Sequence, residues 1–289
     1  MSLIPAHTKD DALLADVAAA DPAAAGGFCC WWLGQSGFLL KSVDGMLLLD
    51  PYLSDSLTVK YAATDKPHVR MSERVVDPAR LTGLGLVTSS HNHTDHLDAE
   101  TLGPLRAANP EAALVVPEAN RGFVAERLGI GAEVPVGLDD GASAEVGPFT
   151  VHGIAAAHNT VDRDDAGRCR YLGYVIEFEV GGGRKTAVYH SGDTLWHGSL
   201  VEALSGFTLS LAMLPINGNL PTRRVSGNLW GQEAAALAKT VGAGCVVPCH
   251  YDMFTFNTQT PAAFVEACEA WGQPYKVLAG GERLDVAVR

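Results

Sequence analysis

The sequence predicts an α/β fold with two β-sheets inside and helices outside. Three observations lead there. The chain has 289 residues, close to half of them hydrophobic, enough to bury a full core. From residue 84 onward, short apolar strand-like runs alternate with helix-like segments. No low-complexity tract, short-period repeat or composition break divides the chain, so a single domain over 1–289 is expected.

Residues 9–20 read as a short amphipathic helix with Leu13, Leu14 and Val17 on one face, followed by an Ala/Gly linker, so that 1–27 forms an N-terminal helix and linker. Strands are expected at 28–33 and 37–43, and a third at 46–50 after the Asp44-Gly45 turn. Residues 52–80 are polar and irregular, which suits a flap near a site. Beyond them, 84–88 and 114–116 read as strands and 98–108 as a helix broken near Gly103-Pro104. Residues 117–128 read as a helix with Pro117 in its first turn and Gly129 past its end. Strands follow near 149–157, 171–180 and 185–190, then a helix at 231–241 and a strand at 245–249. Thr260 and Pro261 should open a last helix carrying Phe264, Cys268 and Trp271 on one face. Two short strands are expected around Gly280-Gly281.

Charge and cysteine content narrow the function. The net charge is −12, from 21 basic and 33 acidic residues, which argues against a nucleic-acid polymer as partner. No run of about 18 apolar residues is present, so no membrane span is expected. The first ten residues lack the basic and apolar segments of a secretory signal. None of the six cysteines forms a C-x-x-C pair. The expectation is a cytoplasmic protein with reduced cysteines.

The chemistry is concentrated in Ser89-Ser90-His91-Asn92-His93-Thr94-Asp95-His96, an H-x-H-x-D-H run directly after a strand. A turn there can aim His91 and His93 at one metal ion, and Asp95 and His96 at a second. Imidazole and carboxylate donors suit zinc, manganese or iron. His158, Asp193 and His250 each follow the end of an apolar run, and strand ends are where ligands gather in α/β proteins.

In this order these residues resemble the metallo-β-lactamase superfamily, whose fold is a four-layer αββα sandwich of two mixed sheets flanked by helices. More narrowly, Trp31-Trp32-Leu33-Gly34-Gln35-Ser36-Gly37, Leu49-Asp50-Pro51-Tyr52, residues 91–98, Tyr189-His190-Ser191-Gly192-Asp193 and residues 246–252 resemble the L-ascorbate-6-phosphate lactonase branch. The resemblance implies one site of His91, His93 and His158, a second of Asp95, His96 and His250, and Asp193 bridging them. It places Asp50 behind the ligands, accepting a ring N–H from a ligand histidine. True β-lactamases tend to have a cysteine where Asp193 stands. The aspartate points to branches acting on lactones, thioesters or phosphodiesters. The cofactor implied is one or two divalent ions, Mn²⁺ or Zn²⁺, with Fe also compatible. Self-association as a homo-oligomer is implied as well.

The resulting expectation is a metal-dependent hydrolase that uses metal-bound hydroxide on a lactone or ester of a small anionic, sugar-like substrate. A phosphodiesterase for small or cyclic nucleotides is the alternative, and a non-catalytic metal-binding protein a third reading. The leaving alkoxide needs a proton, from a water held by Asp95 or from His197 or Tyr251. Arg70, Asn217, Arg223 and Arg224, with Lys66 beside Arg70 in the 52–80 segment, are candidates for gripping an anionic substrate, since the arginine fork suits phosphate and carboxylate. His190 reads as a packing residue and Cys249 as facing the core. His7, His68 and His152 have no constellation and read as structural or solvated. The chain departs from the lactonase branch by being shorter, in its loop at 215–228, and in having Tyr251 rather than a second histidine after His250.

Overall fold

The structure is a computed structural model and describes residues 2–288, so the two end residues of the expected 1–289 domain lie outside the described residues. In chain order the strands are β1 (Gly27–Gly34), β2 (Gly37–Lys41), β3 (Met46–Leu49), β4 (Leu84–Thr88), β5 (Ala113–Pro117), β6 (Val136–Leu138), β7 (Ser143–Val146), β8 (Phe149–Ala155), β9 (Leu172–Glu179), β10 (Lys185–His190), β11 (Leu209–Pro215), β12 (Val246–Cys249) and β13 (Arg283–Ala287). The helices are α1 (Asp10–Ala19), α2 (Pro22–Ala25), α3 (Ser56–Tyr61), α4 (Ala99–Ala108), α5 (Arg121–Leu128), α6 (Leu200–Leu204), α7 (Gly231–Thr240) and α8 (Ala262–Trp271).

The strands form two mixed sheets flanked by helices, ordered β13-β1-β2-β3-β4-β5-β6 and β12-β11-β10-β9-β8-β7. The layering follows from the two-residue period of a strand. In β1, Phe28, Cys30 and Trp32 face the second sheet, while Cys29, Trp31 and Leu33 face the helices outside. Leu40, Leu47, Leu86 and Val115 continue the inner face. Phe28 meets Phe178 of the other sheet edge to face, with ring centroids 5.3 Å apart. On the outer face, Leu13 and Val17 of α1, Leu102 and Leu105 of α4 and Val124 of α5 cover the first sheet. The Trp31 indole N–H donates to Asp16 of α1 at 2.8 Å, which fixes that helix to the sheet.

Strand direction determines where the site lies. β3, β4 and β5 are parallel, and so are β10, β11 and β12. β8 and β10 both run antiparallel to β9, so β8 points the same way as β10. Consequently β8, β10, β11 and β12 all end on one edge of the second sheet.

Several local expectations are corrected. Pro117 closes β5, and the turn Glu118–Asn120 separates it from α5, so it does not open the helix. α4 runs through Gly103 and Pro104 without a break, with Gly103 exposed and Pro104 only partly buried. α8 begins one residue later than expected, with no side-chain cap, and Trp271 is exposed while Phe264 and Cys268 are buried. Around Gly280-Gly281 there is one strand, β13, rather than two. The segment 52–80 holds a helix, α3, where irregular chain was expected. Strands β6 and β7 were not anticipated.

Among the described residues no helix is long and apolar enough to cross a membrane. Leu86 is wholly buried between the sheets, whereas Val59 is largely exposed. Leu86→Ala should cost about 2–5 kcal/mol in urea unfolding, while Val59→Ala should stay within about 0.5 kcal/mol.

Candidate metal centre

The H-x-H-x-D-H run is a tight loop leaving β4. It is pinned on both sides. Ser89 N donates to Val115 O at 3.0 Å, and Ser90 O accepts from Leu172 N at 3.0 Å, tying the loop to both sheets. His96 N and Leu97 N both donate to His93 O, at 3.1 and 2.8 Å, curling the loop back on itself. Arg127, from α5, donates to Asn92 O at 2.8 Å and Leu97 O at 3.1 Å. This guanidinium therefore braces the loop from outside.

The remaining ligands arrive from the second sheet. His158 follows β8, and its Nδ1–H donates to Gly227 O at 3.0 Å, leaving Nε2 toward the site. Asp193 follows β10 behind Gly192, whose φ is +56°. A Cβ at Gly192 would lie 2.6 Å from the Ser90 Cβ, so only glycine allows this close approach to the loop. His250 follows β12 with φ +64°, and its N–H donates to Gln35 O at 3.0 Å. Gln35 and Asp50 also have positive φ, +50° and +39°. Non-glycine residues rarely hold this conformation, and here three of them gather at one site.

The structure brings together all seven residues singled out in the sequence. His91, His93, His158 and Asp193 offer donor atoms within 4.8 Å of one another, as do Asp95, His96 and His250. Asp193 joins the two groups. Its Oδ1 lies 3.3 Å from His96 Nε2, and its Oδ2 lies 3.6 Å from both His158 Nε2 and His250 Nε2. Asp95 Oδ2 stands 3.6 Å from His96 Nε2 and 3.5 Å from His250 Nε2. Two donors bound to one ion at about 2.0–2.1 Å in tetrahedral geometry are themselves about 3.4 Å apart. The donor set therefore fits divalent metal. Buried atoms left unpaired support the same fit: His91 Nε2, His96 Nε2 and Asp193 Oδ1 find no hydrogen-bond partner among the described residues.

Behind the ligands, Asp50 is fully buried and its Oδ2 accepts from His96 Nδ1 at 2.7 Å. That bond fixes the tautomer so that His96 Nε2 faces the site. Asp50 also accepts from Ser90 N and Thr88 Oγ1, both at 3.0 Å. His190 is buried and its Nε2 donates to Ser36 O at 2.9 Å, away from the ligands.

The electrostatics split the histidines into two sets. Desolvation first, and neighbouring rings second, lower His91 well below the ordinary imidazole value and bring His93 down to about 4. Burial lowers His158 too. Burial would also lower His96 and His250, but Asp193 and Asp95 beside them outweigh it. His96 is raised well above its usual value and His250 to about 9. Burial would raise the two carboxylates, yet His96 and His250 hold both well below their ordinary range.

The ligands form the floor of an open cavity of about 770 Å³. Its walls include Lys60, Lys66 and His68 from the 52–80 segment, which thus builds one side of the cavity. Tyr171, Arg127, Arg224 and Asn257 contribute elsewhere. Of the residues expected to grip substrate, Arg224 and Lys66 line it, Arg224 with its guanidinium paired to Asp65. Arg70 is tied to Asp55 and to Ser54 O. Arg223 donates to Asn217 O at 2.6 Å and Thr258 O at 3.2 Å, so it laces two loops together outside the cavity. Asn217 is completely buried and bonded to Asn228 and Asn257.

Two of the three expected proton donors are also displaced. Tyr251 is buried, stacks on Trp32 with centroids 4.4 Å apart, and donates its hydroxyl to Leu278 O. His197 donates its Nε2–H to Ala155 O at 2.9 Å and does not line the cavity. Adjacency in sequence to His250 and Asp193 suggested both residues, but the chain turns between each and its ligand neighbour. Asp95 remains in place. Lys60 and His68 were not marked as site residues, because they belong to the site only through tertiary contacts. Gln35 was also missed: its side-chain amide donates to Asp95 Oδ2 at 2.8 Å and lies 3.0 Å from His250 Nε2. Its place in the Trp-Trp-Leu-Gly-Gln-Ser run was the available signal.

The family pattern of the beta-lactamase superfamily domain matches residues 46–251, most of the chain and every ligand. The chain belongs to the metallo-β-lactamase superfamily. A UPF0173 metal-dependent hydrolase from Desulforamulus reducens is 28% identical over 257 residues, covering 88% of this chain and 98% of the relative. Among solved structures, the metallo hydrolase Igni18 from Ignicoccus hospitalis superposes with a TM-score of 0.63 at 20% identity, over 89% of this chain and 97% of that one. An isothiocyanate hydrolase from Delia radicum gut bacteria gives a TM-score of 0.68 at 17% identity, over 90% and 100%. At these identities the two structures show that the superfamily fold is shared.

Protonated His96 and His250 must lose protons to bind metal. Titrating Zn²⁺ into the metal-free protein at pH 7 should release protons, seen as calorimetric heats that depend on the buffer's ionisation enthalpy. The release should shrink as pH rises through about 9, the value of His250. Heats at pH 7 independent of buffer would contradict this.

Proposed function

We propose that this protein is a metal-dependent hydrolase that opens a lactone or ester bond of a small, anionic, sugar-like molecule, as in the L-ascorbate-6-phosphate lactonase-like branch. The observation that carries the reading is the seven-ligand cluster on the floor of an open cavity whose walls carry Lys60, Lys66, Arg127 and Arg224. The relatives' description as metal-dependent hydrolases supports the coarser part. The mixed imidazole and carboxylate set suits Zn²⁺ or Mn²⁺, with iron compatible. When bound, such an ion lowers the pKa of a coordinated water from about 15.7 towards ~7 and polarises the attacked oxygen.

The chain's own residues supply the rest. Asp193 and Asp95 hold negative charge beside the imidazoles and orient the donor set. Lys60 is the cation best placed to meet an anionic group. Among the described residues its ammonium has no carboxylate partner, and its one hydrogen bond is to Thr94 Oγ1 at 3.1 Å. Arg127 and Lys66 are already engaged by backbone carbonyls, and Arg224 by Asp65. The six cysteines are all free and five are buried, which suits a reducing, cytoplasmic setting.

The test is a panel of lactones and alkyl esters, with bis-p-nitrophenyl phosphate, assayed with added Mn²⁺ or Zn²⁺. Lactone or ester hydrolysis, abolished by His93→Ala and Asp193→Ala, is the expected result. Turnover of the phosphate diester alone would move the reading to a phosphodiesterase, and silence on all substrates with metal bound would overturn it. Lys60→Ala should raise KM for a phosphorylated lactone about tenfold and leave its neutral counterpart unchanged, as loss of one charge-assisted hydrogen bond implies.

A further inference from the structure

The proposed hydrolysis needs a proton carrier, and of the three expected only Asp95 stays in the site, where its Oδ2 already accepts from Gln35 at 2.8 Å. His197 and Tyr251 point elsewhere. Among the described residues lining the cavity, His68 is the one imidazole outside the ligand set.

His68 is held rather than free. Its ring packs against Tyr61, with centroids 4.5 Å apart, and against Phe254 and Phe256, each at 5.2 Å. Its Nδ1–H donates to Lys66 O at 2.8 Å. Its own carbonyl accepts from Thr58 Oγ1 at 2.7 Å, which anchors the backbone to α3. With Nδ1 committed to a carbonyl, the neutral ring carries its lone pair on Nε2. That atom finds no partner among the described residues, and the residue faces the same cavity as His93, Asp95 and His250.

We propose that His68 Nε2 carries the proton from the attacking water to the leaving oxygen. The idea rests on the hydrolase reading above. As the water oxygen bonds to the carbonyl carbon, one of its protons passes to Nε2, and the Nδ1–H bond to Lys66 O steadies the resulting imidazolium. The carbon–oxygen bond to the leaving group then breaks, and the Nε2 proton goes to that oxygen. His68 returns to its neutral form, and one water has been added across the bond.

The surroundings suit an acceptor at neutral pH. Burial lowers the His68 pKa. The Lys66 carbonyl and the Asp95 charge across the cavity raise it, while His250 and Lys60 lower it, and the net shift is downward. Phe254 and Phe256, also packed on the ring, carry no titratable group.

The test compares wild type, His68→Gln and His68→Ala, Zn²⁺-loaded, on two probes that differ in leaving group. p-Nitrophenyl acetate expels a stable phenolate, and δ-valerolactone expels an alkoxide that must be protonated. The variants should lose about 10²-fold or more in kcat on the lactone, with KM little changed, and far less on the nitrophenyl ester. Added imidazole should restore lactone turnover in His68→Ala. Metal content and circular dichroism should match wild type.

Equal losses on both probes without rescue would make His68 structural and overturn the proposal, as would no loss at all. Wild type silent on both probes would overturn the hydrolase reading and this role with it. A readout independent of turnover is the ¹⁵N spectrum of the His68 ring at pH 7. The proposal requires a protonated Nδ1 and a bare Nε2, and a proton on Nε2 contradicts it.

Discussion

The structure depends on one electrostatic constraint: carboxylates and imidazoles packed at the junction of two sheets, where little water reaches them. Asp50, Asp193, His91, His96, His158 and His250 are all buried. An isolated buried carboxylate is strongly unfavourable, and a buried ion pair is stable only when its remaining lone pairs are satisfied. Asp95 and Asp193 are balanced by the charge of His96 and His250, yet Asp193 Oδ1, His91 Nε2 and His96 Nε2 are left without a well-aligned hydrogen bond. A divalent ion held by these residues would resolve that conflict, since its charge would replace that of the protons. The site is an arrangement that the fold holds together and that metal would complete.

The fold achieves this through strand direction. Asp50 and the H-x-H-x-D-H loop leave adjacent parallel strands of the first sheet, and His158, Asp193 and His250 leave strands of common direction in the second. Five separate segments therefore end at one edge. The backbone strain at Gln35, Asp50 and His250 lies at that edge, and the inter-sheet core of Phe28, Phe149 and Phe178 lies well away from it. Rigid packing on one side lets the loops on the other hold unusual conformations.

Much of this was legible in the sequence, for physical reasons that differ from element to element. The ligand run could be read because four donors fall within six residues after a buried strand, a pattern no packing need explains. His158, Asp193 and His250 could be read because each follows an apolar strand. Arg70, Arg223 and Asn217 were misread because a polar residue near a site can serve the scaffold as well as the substrate, and their hydrogen bonds show them spent on scaffold. Tyr251 was misread because the positive φ of His250 re-aims the chain, which residue type alone does not reveal. Lys60 was not weighed and His68 was read as structural because α3 and the chain after it reach the cavity only by folding back over the ligand loop. Pro117 suits either the first turn of a helix or the end of a strand, and pairing with β6 decided between them.

The central claim is that these seven side chains hold divalent metal, and anomalous diffraction from crystals grown with Zn²⁺ tests it most directly. The account predicts one or two peaks bounded by His91, His93, Asp95, His96, His158, Asp193 and His250, with Asp193 touching both ions if two are present. A fully ordered site with no anomalous peak among these residues would contradict it.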